Sequence, residues 1–358
     1  MLKSITESTR SPVLDANIEA RSLTAFDGGN IVSGQTAEKP ADDRFSSGQR
    51  TWLQPAEKIM AVVALTAALI DAFLIVYNGS QVDWPGYLSI LAMIAAMMTM
   101  GLFYRLSGRS DRIAAATICA ALFLFYSLCM SMYNYQLLPL WREPIDLQLN
   151  AIDQLFGYHW PSVIAWAAQH PIFNEITRFA YMSTIPQFAA IVVILGLTGR
   201  IRELHILIVS ITITATFTIC FWGVFPSFGT TTLYQLPEAI EALASPEADT
   251  AYGNQMLAMA IGGPGQISPK EIKGLIAFPS YHIVLAFTAV YAARTVKWIF
   301  PLYLVLNILI LPSIYMHGGH HMIDLPAGLF VALAGIYIAR KAVIKLYRQR
   351  NLPEFVSR

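Results

Sequence analysis

The sequence is poor in cysteine, in charge and in basic tracts, and each shortage argues against a class of protein. The chain has 3 cysteines in 358 residues, all inside apolar runs, which argues against a disulfide framework and a zinc site. Charged residues make up 13% of the chain, against about 25% in an average soluble protein. With a net charge of +1 and no basic tract, nothing indicates a nucleic-acid partner.

Long apolar runs are what the sequence has instead. Hydrophobic residues make up 55% of the chain, and they gather in runs of about 20, the length of helix that crosses a bilayer. The sequence therefore predicts an all-α integral membrane protein whose surroundings are the lipid bilayer. The eight predicted transmembrane helices lie at 56–77, 85–105, 113–138, 174–197, 203–225, 279–296, 298–316 and 321–343.

The two ends of the chain differ from this apolar body. Residues 1–50 are polar and rich in Ser, Thr, Asp and Gly, and they are predicted to form a disordered cytoplasmic tail. Residues 344–358 are predicted to form a basic cytoplasmic tail. Lys and Arg concentrate on one set of connections, so the positive-inside rule places both termini on the cytoplasmic side of an inner or plasma membrane. The connections at 139–173 and 226–278 then face the extracytoplasmic space.

Two histidine motifs begin helices from that extracytoplasmic face. The stretch FPSYHIVLAF contains His282, and the stretch HGGHHMIDLPAG contains His320 and Asp324. A helix N-terminus has unpaired N–H groups and a partial positive charge, which together favour phosphate. Ser280 is a suitable N-cap for the first of these helices. The two motifs therefore predict a phosphate-binding site where two helix N-termini meet.

The spacing of these residues indicates phosphoryl transfer through a histidine. His320 and Asp324 are four residues apart, so a helix places them on one face. The carboxylate would accept the N–H of one ring nitrogen and leave the other as a nucleophile. We expect His320 to attack phosphorus, Asp324 to orient it, and His282 to protonate the leaving oxygen and then activate the acceptor. His321, three residues before Asp324, is the alternative nucleophile. This chemistry needs no metal and no cofactor.

These residues carry a family resemblance. Pro279-Ser280-Tyr281-His282 resembles the Pro-Ser-x-His signature of the type 2 phosphatidic acid phosphatase (PAP2) superfamily, and Ser313, His320 and Asp324 follow the spacing of its Ser-Arg-x5-His-x3-Asp signature. The chain is also similar to the inositolphosphotransferase-like branch, which includes the fungal inositol phosphorylceramide synthases. Two further stretches, WREPIDLQLNAIDQLFG and FPSFGTTTLY, resemble segments of bacterial members.

The resemblance covers residues 113–343 and implies a six-helix PAP2-like catalytic core. Residues 51–112 would then form two accessory transmembrane helices. The implied activity is hydrolysis or transfer of a lipid phosphoester without a metal. The implied substrate is a phospholipid or a polyprenyl phosphate.

The chain departs from the family in its arginine signatures. The first signature, Lys-x6-Arg-Pro, has no match, and Ile314 replaces the arginine of the third. The phosphate contacts that those arginines supply in the family must therefore come from elsewhere or be weaker. An Arg presents a planar fork that suits phosphate oxygens, and Arg178 and Arg142 lie near the predicted extracytoplasmic surface. The predicted phosphate-binding residues are therefore Ser280, Arg178 and Arg142.

Other functions remain open from the residues alone. Intramembrane polar residues also suit a non-enzymatic transporter, although such proteins interrupt helices in both halves and the Gly-rich interruptions here fall in the second half. The His-x-x-His-His pattern of HGGHH occurs in membrane di-iron hydroxylases, which need several such boxes, whereas this chain has 7 histidines and one box. If the chain is a PAP2-like enzyme, the acceptor is either water, giving a phosphatase, or an alcohol, giving a strict head-group phosphotransferase.

Overall fold

Helices make up most of the chain that the computed structural model describes, residues 51–349. The predicted tails lie outside the described residues, apart from positions 344–349, which continue the last helix. In chain order the helices are α1 (Pro55–Asn78), α2 (Trp84–Ser107), α3 (Asp111–Gln136), α4 (Asp146–Leu155), α5 (Trp160–Gln169), α6 (Pro171–Met182), α7 (Thr184–Leu197), α8 (Ile201–Val224), α9 (Glu238–Ala244), α10 (Thr250–Gly262), α11 (Tyr281–Ala293), α12 (Phe300–His317) and α13 (Asp324–Gln349).

The prediction of an all-α, multi-pass membrane protein is confirmed. In the described part of the chain, six helices are long and apolar enough to cross a membrane: α1, α2, α3, α8, α12 and α13. A seventh crossing is formed if α6 and α7, which meet at a 45° bend, count as one broken span. The predicted sixth span at 279–296 is α11, a helix of 13 residues. At 1.5 Å per residue it is about 20 Å long, shorter than the roughly 30 Å hydrocarbon core.

The bend within the predicted fourth span has a local cause. Ser183 separates α6 from α7, and Pro186 lies in the first turn of α7. Proline has no backbone N–H, so it cannot bond to the carbonyl of Met182 and continue the hydrogen-bond ladder of α6. A new helix therefore starts at Thr184 in a new direction. The apolar run alone did not predict this break.

The long helices pack closely around α3 and α8. Helices α1 and α2 pack against α3, and α13 packs against α8. Helix α7 also packs against α3, and there Gly196 is needed: a Cβ at this position would lie 2.5 Å from the Cα atom of Ala116. Small residues of this kind let helix backbones approach each other in a membrane, where lipid supplies no hydrophobic driving force.

A buried polar cluster ties α1 and α2 to the other helices. Glu57 of α1 accepts two hydrogen bonds from Arg105 of α2, at 2.5 and 2.8 Å. His205 of α8 lies 3.4 Å from the same carboxylate, and its other ring nitrogen is 2.9 Å from the hydroxyl of Tyr347 in α13. Buried charges are costly unless they are paired. The two predicted accessory helices are therefore joined to the rest of the bundle by charge as well as by packing.

Both connections predicted to lie outside the bilayer contain helices of their own. The connection at 139–173 forms α4 and α5, and the connection at 226–278 forms a 3-10 turn (Thr230–Thr232) followed by α9 and α10. Two-residue strands β1 (Gln81–Val82) and β2 (Gln266–Ile267) pair in parallel and join the α1–α2 loop to the second connection. These segments lie at one end of the long helices, and the same end holds the predicted histidines.

Candidate active site

The N-termini of α11 and α13 meet, as the sequence predicts. The backbone N–H of Ser280, the N-cap of α11, donates to the carbonyl of Asp324, the first residue of α13, at 3.1 Å. One turn into α13, Gly328 faces the same junction: a Cβ there would overlap the carbonyl oxygen of Ser280. Because that neighbour is backbone, which cannot rotate away, glycine allows this close approach.

His320 and Asp324 form a buried pair. The Nδ1 atom of His320 lies 2.9 Å from Oδ2 of Asp324, and the two side chains are 3% and 0% exposed. An ionised carboxylate only accepts hydrogen bonds, so Nδ1 donates to Asp324, and in the neutral ring Nε2 then keeps its lone pair. The same Oδ2 also accepts the backbone N–H of His321 at 2.9 Å. The carboxylate is thus fixed from two directions and orients the ring that it holds.

His282 lies beside this pair. Its ring centroid is 6.3 Å from that of His320, and the two rings are nearly perpendicular, at 80°. On its other side the His282 ring stacks on Tyr181 of α6, with centroids 4.4 Å apart. The structure therefore brings the three predicted catalytic side chains together, and it adds Tyr181, which sequence reasoning missed.

The loop between α12 and α13 is held by the rest of the site. Gly319 has a φ of +62°, a left-handed conformation that favours glycine. Its carbonyl accepts hydrogen bonds from the backbone N–H and the hydroxyl of Thr230, at 2.7 and 2.9 Å. The next carbonyl, that of His320, accepts the hydroxyl of Tyr158 at 3.0 Å. The loop that carries the predicted nucleophile is therefore fixed by both connecting segments.

His321 is clamped between two carboxylates of α4. Its Nδ1 lies 2.7 Å from Oδ2 of Asp153, and its Nε2 lies 3.3 Å from Oδ1 of Asp146. Burial lowers the pKa of His321, but the hydrogen bonds to Asp146 and Asp153 outweigh burial and raise that pKa to about 9. Both ring nitrogens have partners, so His321 offers no lone pair to a substrate. The geometry favours His320 over His321 as the nucleophile.

Asp146 and Asp153 were not singled out from the sequence, although a signal was present. They are seven residues apart within WREPIDLQLNAIDQLFG, and residues seven apart on a helix lie on the same face. Two acids on one face of a short helix, next to a histidine-rich loop, would have indicated a link between the two segments. The sequence alone does not show which histidine they bind.

The three predicted phosphate-binding residues differ in position. Ser280 lies in the site: its hydroxyl is buried, makes no capping bond and has no partner among the described residues. Arg178 lies one turn before Tyr181 on α6, but its Nε binds Oε1 of Glu247 at 2.7 Å. Arg142 is exposed and stacks over the ring of Trp141 at 4.0 Å. Within residues 51–349, no hydrogen bond, ion pair or ring contact joins Arg142 to the histidines.

His317 supports the site from the end of α12. It is the last residue of that helix and is fully buried. Its Nε2 lies 3.2 Å from the carbonyl of Asn174 and 3.3 Å from the hydroxyl of Thr177, both in α6. Its ring also lies 6.3 Å from that of Tyr181. His317 thus links α12 to the helix that carries the stacking tyrosine.

The described residues bring one group of potential metal ligands within 4.8 Å of one another: Glu57, Cys119 and His205. Both carboxylate oxygens of Glu57 already bind Arg105. A guanidinium on the carboxylate competes with a cation for the same oxygens, so this donor set does not suit a metal. The group belongs to the buried polar cluster that joins α1 and α2 to the bundle, not to the histidine site.

Comparison with known proteins identifies one family. The model of the PAP2 superfamily matches residues 147–338, slightly more than half of the chain. The matched segment contains His282, His320 and Asp324, and also Ser280 and Arg178. It begins after Arg142. Comparisons with curated proteins and with solved structures found no match.

Proposed function

This chain belongs to the PAP2 superfamily, and from that premise we propose that it is a membrane enzyme that hydrolyses or transfers lipid phosphoesters through a phosphohistidine. The family supports phosphatase or phosphotransferase activity on lipid phosphates. The observation that carries the histidine mechanism is the 2.9 Å bond between Nδ1 of His320 and Asp324. That bond leaves Nε2 of His320 as a nucleophile at the junction of two helix N-termini.

The reaction proceeds in two balanced steps. In the first, Nε2 of His320 attacks phosphorus, the bond from phosphorus to the leaving oxygen breaks, and His282 gives that oxygen a proton. In the second, His282 takes a proton from water or an alcohol, whose oxygen attacks phosphorus and releases His320. Asp324 holds the ring in one orientation and stabilises the charge that His320 acquires.

The phosphate is held by the N-terminus of α11 and by cations. The backbone N–H groups that open α11 and the unpaired hydroxyl of Ser280 suit a phosphate oxygen. In this proposal Arg178 exchanges Glu247 for the substrate phosphate and so replaces the arginine missing at Ile314. Arg142 is the second proposed cation and would have to turn away from Trp141 to reach the substrate.

The proposal places the site on the extracytoplasmic face, on the basis of the Lys and Arg distribution. A phospholipid or a polyprenyl phosphate in that leaflet is the proposed substrate. Hydrolysis, or mixed hydrolysis and transfer, is the first alternative, because no acceptor motif is present. A strict head-group phosphotransferase, similar to inositol phosphorylceramide synthase, is the second. A non-enzymatic transporter is the more remote one.

Purified protein tests the proposal with three donors: phosphatidic acid, a polyprenyl diphosphate and a phosphatidylinositol, each with and without ceramide or another alcohol. Release of inorganic phosphate without an acceptor indicates a phosphatase. A new phosphodiester formed only with an acceptor indicates a strict transferase. His320→Ala is expected to abolish turnover, and Asp324→Asn and His282→Ala to lower the rate by about 10²–10⁴-fold.

The matched control is His170→Ala, since His170 is exposed and its ring stacks on Trp166. It is expected to keep the wild-type rate. Full activity in a folded His320→Ala protein would overturn the assignment of the nucleophile. Absence of turnover with every donor and acceptor would overturn the proposed function itself.

A further inference from the structure

His321 is fully buried and has acids on both sides. Its two ring nitrogens are hydrogen-bonded to Asp153 and Asp146 of α4, and both acids are buried. Neither acid belongs to the predicted catalytic trio. Ionised carboxylates have no proton to donate. If both acids are ionised, each ring nitrogen must donate a proton, so His321 is an imidazolium cation. A buried cation between two buried anions is a stable arrangement only when all members are present.

The two carboxylates also hold other parts of the site. The carboxylate oxygens of Asp153 accept hydrogen bonds from Nδ1 of His321 and from the backbone N–H of Met322, the latter at 2.8 Å. Asp146 accepts the hydroxyl of Ser227 at 2.6 Å and the backbone N–H groups of Phe228 and Gly229 at 3.0 and 2.9 Å. The cluster therefore joins α4, the loop before α13 and the 226–278 connection.

His321 also contacts the catalytic pair through its backbone. Its N–H donates to Oδ2 of Asp324, the same oxygen that receives Nδ1 of His320. A shift of the His321 backbone would therefore move the carboxylate that orients the nucleophile. Misplacement of reacting groups by about 1 Å costs roughly 10²-fold in rate, so the anchoring of His321 affects the chemistry directly.

We infer that His321 is a positioning residue whose cationic ring, bridging Asp146 and Asp153, keeps Asp324 and His320 aligned for attack. This inference rests on the proposed function of the same site. It assigns His321 no contact with the substrate. It does predict that activity depends on the charge of a residue that touches no reacting atom.

The charge of His321 should change in the alkaline range. The titratable groups that face it are Asp146 and Asp153 from α4 and Asp324 from α13, with the hydroxyl of Tyr158 on the neighbouring carbonyl. The three carboxylates hold the folded-state pKa of His321 at about 9, above the ordinary value of 6.5. The cation is therefore present at neutral pH and is lost as the pH rises through about 9.

The test is the pH profile of kcat for wild type, His321→Gln and Asp153→Asn, with His159→Gln as the control at an exposed histidine. Wild type is expected to lose activity above about pH 9. His321→Gln should lower kcat by about 10²-fold with a smaller change in KM, and its profile should lack the alkaline limb. Asp153→Asn removes one anion and should move that limb to lower pH. The control should keep the wild-type profile.

The alternative outcomes are distinguishable. If the wild type is active and His321→Gln keeps both its rate and its alkaline limb, the inference is overturned. The proposed function would then stand. If His321→Gln does not fold, the shift of the limb in Asp153→Asn decides, and an unshifted limb overturns the inference.

If the enzyme is inactive with every donor, the proposed function is wrong. Thermal unfolding then tests the charge of His321 independently of activity. Because its folded pKa is raised, the cation stabilises the wild type fully below pH 6.5, and this stabilisation is lost as the pH rises towards 9. The stability of His321→Gln should lack that decline. Equal declines in the two proteins would overturn the inference without any activity measurement.

Discussion

At the scale of single residues, two ion pairs differ in their burial. Glu57 and Arg105 are 0% and 3% exposed, and removing one partner would leave an uncompensated charge in the bundle. Arg178 and Glu247 are partly exposed, at 41% and 27%, and ion pairs open to solvent typically contribute about 0.2–1 kcal/mol. We therefore predict that a phosphate dianion displaces Glu247 from Arg178 at little cost.

This difference leads to a prediction for Arg178→Ala. If Arg178 binds the substrate phosphate, the variant should raise KM about tenfold, equivalent to roughly 1.4 kcal/mol. Thermal stability should change little, because the lost ion pair is partly open to solvent. Steady-state kinetics with the best lipid-phosphate donor measure the change. Glu247→Gln, which frees Arg178, should leave KM unchanged or lower it.

Arg142→Ala is the comparison for Arg178→Ala. An equal rise in KM would support both predicted cations. A rise for Arg142→Ala alone would reverse their roles. If both variants keep the wild-type KM and kcat, the N-terminus of α11 and Ser280 bind the phosphate without arginine.

At the scale of the elements, the site depends on how closely α11 and α13 approach. Each helix contributes its first turn, where N–H groups are unpaired, and the backbone bond from Ser280 to Asp324 joins the two starts. Helix α6 also borders the site, because its Tyr181 stacks on His282. The bend before α7 lies one residue after Met182, at the end of the helix that carries Tyr181. A short α11 and a broken α6–α7 span are thus two irregular elements of the fold, and both border the site.

Gly328→Ala tests this approach. The added Cβ would overlap the backbone carbonyl oxygen of Ser280, so α11 and α13 must separate. We expect a loss of about 1–3 kcal/mol of stability and a fall in kcat of about 10²-fold, because His282 moves away from His320. Thermal unfolding and steady-state kinetics on the same preparation measure both effects.

Gly274→Ala is the matched control, since nothing lies within 4 Å of a Cβ at that position. It should behave as wild type in both measurements. A Gly328→Ala protein with wild-type kcat would show that the helices tolerate separation and that the close contact is not needed for catalysis.

At the scale of the whole molecule, the predicted orientation puts the histidine site and the 226–278 connection outside the cell and the C-terminal end of α13 inside. A single cysteine at Gly265, in a background without Cys119, Cys129 and Cys220, tests this. Gly265 is exposed, and nothing lies within 4 Å of a Cβ at that position. The cysteine should react with a membrane-impermeant thiol reagent in intact cells.

Lys345, exposed near the end of α13, is the partner position. A cysteine there should react only after the cells are opened. The reverse pattern would place the active site in the cytoplasm and would contradict the positive-inside argument. Catalytic geometry would be unaffected, so only the leaflet of the substrate would change.

The sequence by itself determined the fold class and nominated the three residues of the proposed catalytic trio. Apolar runs of about 20 residues specify membrane helices because a helix makes all of its backbone hydrogen bonds within the segment, as lipid requires. The four-residue spacing of His320 and Asp324 predicted the pair, but the structure forms it between the loop before α13 and the first residue of that helix, not within one helix. The same local reasoning mistook the length of the sixth span and missed the bend at Ser183, since hydropathy measures composition and not direction.

Only the tertiary structure decided what surrounds the trio. His321 meets Asp153 across 168 residues of chain, Tyr181 stacks on His282 from another helix, and Arg178 is paired with Glu247. No periodicity links such positions, because their contacts depend on how helices far apart in sequence pack. For this reason the sequence could nominate two histidines as the nucleophile. The structure favours His320, because the carboxylates of α4 are hydrogen-bonded to both ring nitrogens of His321.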